Sequence, residues 1–149
     1  MQFYFQKSFI KEVKKLLKKT SYKDCEEAII KDIFIVSSDE VFENCSSTRL
    51  NASKENPIAK LRISGKEKGK SSSYRLYLLA LKVKEKMYFA YIHPKTGVYG
   101  KESLSSKERK NIIKKLIEEI KKDEGLSEVS LNEAKDKIVY VDSKKPVFK

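Results

Sequence analysis

Between positions 60 and 99 the chain carries a run of cations, hydroxyls and aromatic rings whose spacing suits a phosphodiester. Lys60 and Arg62 alternate with Leu61 and Ile63, and Lys66, Lys68 and Lys70 fall in a glycine and serine loop from Gly65 to Ser73. Arg75 opens the apolar run that leaves this loop, and Tyr91, His93, Lys95 and Tyr99 follow in and after the next run. Lysine, arginine and small hydroxyl residues are the usual partners of phosphate oxygens. An arginine fork holds a phosphate through two parallel hydrogen bonds and stabilises the charge that grows as phosphorus becomes five-coordinate. His93 is the one histidine, and imidazole both gives and takes a proton near neutrality. A lone histidine at a strand end is more often a structural residue than a catalytic one. Tyr91 and Tyr99 offer faces on which unstacked RNA bases rest, or ordinary core contacts.

The loop is not a nucleotide-binding phosphate loop. That motif needs glycines five apart, then lysine and serine or threonine opening a helix; Gly65 and Gly69 are four apart and a strand pattern follows. The loop is then either a solvated hairpin connection or a cationic grip for an RNA backbone. Charge bears on this choice. Residues 60–122 hold 18 Lys and Arg against 6 Asp and Glu, whereas residues 1–59 hold 10 against 9 and residues 123–149 hold 5 against 6. A local positive field of this kind draws phosphate backbones and acidic partners; lysine-rich decoration of solvated faces is the alternative source.

These residues need a scaffold, and 149 residues with 40% hydrophobic content suit one domain with a modest core. Period-two alternation predicts a three-stranded meander over 59–93, with Leu61 and Ile63 on one face and Lys60 and Arg62 on the other. Gln2–Phe5 reads as a short first strand. Phe9, Val13, Leu16 and Leu17 fall at helical spacing after Ser8, and a second helix begins near Tyr22 with Cys25, Ala28 and Ile29 inward. Residues 37–57 are polar and read as an ordered loop or hairpin with a helical turn at Val41 and Phe42. Ser105 and Glu108 form a capping-box pattern ahead of an apolar stripe of Ile112, Ile113, Leu116, Ile117 and Ile120, which Gly125 ends. Leu131–Lys137 reads as a short helix before the β-branched Ile138–Val141. The prediction is an α+β fold: a small, mostly antiparallel sheet covered on one face by N-terminal helices and a C-terminal helix, with 123–149 as a C-terminal extension of a single domain.

Cys25 and Cys45 lie far apart without a metal-ligand pattern and read as structural thiols in a reducing compartment. Neither a signal-peptide pattern nor an apolar run long enough for a membrane span is evident, so a soluble cytoplasmic protein is expected. No paired acidic ligands occur near the cationic run, and no metal or nucleotide cofactor is expected.

The order of these motifs resembles the RelE/HigB family of bacterial toxins from toxin-antitoxin pairs. The resemblance rests on Lys60-Leu61-Arg62-Ile63, Gly65, Gly69-Lys70-Ser71, Tyr74-Arg75, the apolar run Tyr88–Ile92, Lys95 and the helix after Ser105, and covers residues 59–122. Ser72-Ser73 replaces two glycines of the family pattern, and Thr96-Gly97-Val98-Tyr99 replaces a charged run. The resemblance implies a metal-independent endoribonuclease that cleaves mRNA, on the ribosome, and so inhibits translation. It implies attack of a ribose 2′-hydroxyl on the adjacent phosphate, with Lys68 or Lys70 as base, Arg75 and Arg62 on the phosphate, and His93, Lys95 or Tyr99 as proton donor. Lys60, Lys66, Tyr91 and Tyr99 would then hold the RNA. It also implies an acidic antitoxin protein as partner. The alternative on the same scaffold is a ParE-like or degenerate toxin that binds gyrase, antitoxin or RNA without cutting it.

Overall fold

A computed structural model describes residues 1–64 and 73–148. The chain forms β1 (Gln2–Gln6), α1 (Lys7–Leu17), α2 (Cys25–Ile29) continued by a π-helical turn (Ile30–Phe34), α3 (Ser38–Ser47), β2 (Ile58–Ser64), β3 (Ser73–Leu81), β4 (Lys86–Pro94), α4 (Ser106–Lys122), β5 (Leu126–Leu131) and β6 (Ile138–Tyr140). The strands make one sheet in the order β2-β3-β4-β1-β5-β6. All pairs are antiparallel except β1 with β4, where the chain leaves through helices and the meander before returning beside its start.

The α+β class and the meander with an N-terminal strand stand as the residue pattern implies. The layering is finer than that pattern gives. Phe5, Leu76, Leu78, Met87 and Phe89 join Phe9, Val13 and Leu16 of α1 and the inner residues of α2 and α3 in one core. On the other face of the sheet, Tyr88 and Ala90 pack with Leu116 of α4, flanked by Tyr4, Leu79, Leu81, Ile112 and Ile120. The cause lies in β3 and β4, which are apolar on both sides over residues 78–81 and 87–90. A sheet that is apolar on two faces needs cover on both. The first core is rich in rings: Phe5 lies 5.0 Å from Phe89 and 4.8 Å from Phe9, centroid to centroid. Each such side chain contributes about 1.5–3 kcal/mol by leaving water.

Two segments differ from expectation. Residues 37–57 contain a full helix, α3, whose start Ser37 caps by accepting from the Glu40 N–H at 3.3 Å; Val41, Phe42 and Cys45 are its buried residues. Residues 131–137 are strand end and turn rather than helix. Asn132 Oδ1 accepts from the N–H groups of Asp136 and Lys137 at 3.0 and 3.2 Å, and this side-chain competition for backbone donors favours a turn.

The C-terminal extension is part of the sheet. β5 pairs with β1, and Glu26 of α2 reaches across to accept the Ile138 N–H at 2.9 Å. Both outer strands are covered, as exposed edges invite unwanted pairing. Leu50 N–H bonds the Ile58 carbonyl at 2.7 Å on β2, and Val147 N–H bonds the Ile138 carbonyl at 3.0 Å on β6. Among the described residues, no helix is long and apolar enough to cross a membrane.

Candidate nucleic-acid interface

Strand register decides which of the predicted residues meet. Arg62 of β2 stands opposite Arg75 of β3, which stands opposite His93 of β4; one step along, Lys60, Tyr77 and Tyr91 form a second row. Directly opposed residues in antiparallel strands share a face, so six side chains share one side of the sheet. This is the face that α4 covers farther along, beyond the irregularity at Tyr77/Leu78 where β4 holds one more residue than β3. The uncovered part is cationic. Arg62 is exposed, and Lys60, Arg75 and Tyr91 are half-buried.

α4 and the loop before it add two cations from above. Lys101 Nζ sits 6.0 Å from the centre of the Tyr91 ring and 3.9 Å from Glu108. Arg109, one turn into α4, acts electrostatically on both Lys60 and Tyr77. The capping box sets this helix start: Glu108 N–H donates to Ser105 Oγ at 3.2 Å, and Ser105 N–H donates to Glu108 Oε1 at 3.1 Å. Burial first, then Arg75 and Arg109, pull the Lys60 ammonium below its usual pKa. Burial and the nearby Arg62 do the same to Arg75, whose Nη1 donates to Ser73 Oγ at 3.4 Å. Among the described residues no carboxylate forms an ion pair with Lys60, Arg62, Arg75 or Arg109. Mutually repelling cations without counter-ions are suited to a phosphate that neutralises them.

The two buried members of these rows, His93 and Tyr77, join a chain of hydrogen bonds with the loop before α4. His93 Nδ1 is 2.9 Å from the Pro94 carbonyl, which only accepts, so Nδ1 carries a proton. In the neutral ring Nε2 is then an acceptor, and Tyr77 O–H donates to it at 3.3 Å. Tyr77 Oη in turn accepts from the Leu104 N–H at 3.3 Å. His93 is 2% exposed and Tyr77 1%. Burial, with Lys101, Lys60 and Arg75 nearby, holds the imidazole below its ordinary pKa against the pull of the Pro94 carbonyl. A neutral imidazole with both nitrogens engaged positions its neighbours.

The other predicted residues fall elsewhere. Tyr99 belongs to the α1 side of the sheet, with its ring 6.0 Å from Tyr22 and under Lys15 Nζ at 4.3 Å. It helps close the turn after β4: Tyr22 O–H donates to the Thr96 carbonyl at 2.9 Å and accepts from the Tyr99 N–H at 3.1 Å. Lys95 follows β4, its backbone N–H bonded to the Ser73 carbonyl at 3.0 Å. Lys66, Lys68 and Lys70 lie outside the described residues. Braces from the helical segment fix the sheet end from which their loop leaves: Tyr74 O–H donates to Asp24 Oδ1 at 2.6 Å, and Ser64 N–H donates to Asp32 Oδ2 at 2.9 Å.

Arg109 and Lys101 were not evident as site residues, since in a lysine-rich helix and loop nothing sets them apart. The one available signal is that Arg109 is one of only four arginines, two of which, Arg62 and Arg75, lie on the cationic face. Among the described residues no group of three His, Cys, Asp or Glu is placed to hold a metal ion. No family model matches the chain, and comparison with curated proteins and with solved structures returned no match.

Proposed function

We propose that this face binds RNA and that the protein is a toxin of RelE/HigB type, a cytoplasmic, metal-independent endoribonuclease acting on mRNA at the ribosome. The observation that carries the reading is the convergence of Lys60, Arg62 and Arg75 from two strands, with Arg109 from α4, on one open surface, none of the four in an ion pair with a carboxylate of the described residues. In this reading Arg62 and Arg75 hold the non-bridging oxygens, and Tyr91, backed by Lys101, stacks a base. The ribose 2′-oxygen attacks phosphorus, its proton passes to a lysine, the bond to the 5′-oxygen breaks, and that oxygen takes a proton. Lys60, with its lowered pKa, joins Lys68 and Lys70 as the acceptor, and Lys95 is the donor that follows β4. His93 acts through Tyr77 and its neighbours. An acidic antitoxin protein is the partner that keeps the toxin silent.

A second reading has its own observation. His93 is sealed from solvent and Tyr99 is packed against Tyr22, so two of the residues expected to move protons or stack bases are engaged in structure. A ParE-like or degenerate toxin that binds gyrase, antitoxin or RNA without cutting would fit that arrangement. Induction of wild type, Arg75→Ala and Lys70→Ala in bacteria, with mRNA 5′ ends mapped, separates the two. The nuclease reading expects new transcript ends with wild type and their loss in the variants. Growth arrest with intact transcripts and altered supercoiling would overturn it.

A further inference from the structure

At the β5-β6 edge of the sheet, the opposite end of the strand order from β2, the end of α1 and the turn after β6 enclose a cleft of 840 Å³. Strand register turns Ser127 and Tyr140 toward α1. Ser127 lies opposite Phe5, whose ring packs on Phe9 of α1, and Tyr140 lies opposite Val129, two residues along from Ser127. Lys14 and Lys18, one helical turn apart, line the cleft from α1, and Lys145 lines it from the turn. All three are exposed, and none forms an ion pair with a carboxylate of the described residues. Asp142 is the single carboxylate of the lining, and its Oδ1 accepts the Ser143 N–H at 2.6 Å. Ser143 Oγ accepts the Lys145 N–H at 3.3 Å, which leaves the hydroxyl proton to donate. Two backbone bonds of 2.9 Å hold the turn, from Lys144 N–H to the Tyr140 carbonyl and from Tyr140 N–H to the Lys145 carbonyl.

We propose that this cleft binds a small phosphate monoester carrying an aromatic ring, a nucleoside monophosphate in chemical class. Like charges four residues apart on a helix repel, and a third lysine on the facing wall adds to their field, which a concave surface concentrates. A phosphate monoester brings about 1.5–2 negative charges at pH 7 and three terminal oxygens, which the lysines and the Ser127 and Ser143 hydroxyls can share. The rest of the lining is apolar, from Leu17, Tyr140, Pro146 and Val147. Inorganic phosphate leaves that surface unused, whereas an aromatic base covers it and stacks on the Tyr140 ring. The volume falls within the range of about 300–1,000 Å³ of small-ligand clefts. The dipole of α1 accounts for lysines at its C-terminal end, but not for Lys145 and the serine hydroxyls on the facing side. The cleft is remote in the strand order from Arg62 and Arg75, so this inference does not rest on the function proposed above.

The test is calorimetric titration of the full chain with adenosine 5′-monophosphate, ribose 5-phosphate and adenosine. The monophosphate is expected to bind more tightly than either fragment by about tenfold or more, since one lacks the base and the other the charge. Lys18→Glu and Lys145→Glu, both at exposed positions, should each weaken it by about tenfold or more with unchanged thermal melting. Lys84→Glu, which makes the same change in net charge in the exposed turn after β3, should bind it as wild type does. Tyr140→Leu should lower the affinity for the monophosphate toward that for ribose 5-phosphate and leave the latter unchanged. Arg75→Ala should bind the monophosphate as wild type does, which separates this cleft from the cationic face. Absence of saturable binding below about 1 mM would overturn the proposal. Equal binding of adenosine would do the same, as would a loss in Lys18→Glu and Lys145→Glu no greater than in Lys84→Glu. Binding abolished by Arg75→Ala but not by Lys18→Glu would place the nucleotide on the other face and end the proposal as well.

Discussion

Arg62 and Arg75 stand directly opposite each other in antiparallel register, two guanidinium groups on one face with no ion-paired carboxylate among the described residues. Like charges so placed destabilise a sheet by about 0.2–1 kcal/mol, which a fold has reason to keep only if something else uses the charge. Arg75→Gln should therefore leave the melting temperature unchanged or raise it slightly. The same variant should lose about 10²–10³-fold in cleavage rate if the fork stabilises the five-coordinate phosphorus. Paired calorimetry and cleavage assays check both; a clear loss of stability would mean that Arg75 is a structural residue.

Salt dependence gives an independent measure of the same surface. Each phosphate neutralised contributes a slope of about −0.7 in log affinity against log salt for single strands. Lys60→Ala, Arg62→Ala and Arg109→Ala should each weaken binding of a single-stranded RNA oligomer and flatten that slope by close to one contact's worth. Tyr99→Ala should do neither, since its ring lies with Tyr22 and Lys15 on the side covered by α1.

How far the residues alone reach can be seen by comparing these positions. Period-two alternation places Arg62 and Arg75 on a common face once the hairpin is assumed, because cross-strand register preserves the alternation. The same argument applies to Lys60 and Tyr91. It fails for Tyr99, which follows the end of β4, where a turn rather than a pleat sets the direction of the side chain. It also fails for His93, which stands in the row of Arg62 and Arg75 but is buried there, bonded to Tyr77, whose hydroxyl also accepts the Leu104 N–H from a loop with no repeating pattern. The two-faced cover of the sheet was legible in principle: β3 reads Tyr77-Leu78-Leu79-Ala80-Leu81, apolar at successive positions, and such a run asks for packing on both sides. Helix α3 was obscured because serine, asparagine and acidic residues outnumber its three buried positions.

The chain from Leu104 N–H through Tyr77 O–H to His93 Nε2 should position the loop that carries Lys101 and the start of α4. Tyr77→Phe leaves a buried donor at Leu104 and a buried acceptor at His93 without their partner, at a cost of about 1–3 kcal/mol each. Amide exchange at Leu104 should speed up. If Tyr77 only orients Lys101 and Arg109, RNA affinity should fall while the pH profile of cleavage keeps its shape. A changed pH profile would instead assign Tyr77 a proton-transfer role.

His93 makes a linked prediction about pH and stability. Its folded-state pKa lies below the unfolded value of about 6.5 because burial, with Lys101, Lys60 and Arg75 nearby, disfavours the imidazolium. The unfolded chain then binds the proton more readily than the folded one, so stability rises with pH across the window from the folded pKa up to about 6.5 and is flat above it. Acidification from neutral pH should therefore lower the denaturation midpoint of the wild type in this window. In His93→Gln, whose carboxamide can donate to the Pro94 carbonyl and accept from Tyr77, that part of the pH dependence should vanish while the remainder is unchanged. Urea titrations of both proteins at several pH values between 4 and 8 measure the difference. Identical pH dependence in the two would mean that His93 takes up its proton as readily inside the fold as outside it, and the neutral-imidazole assignment would have to be given up.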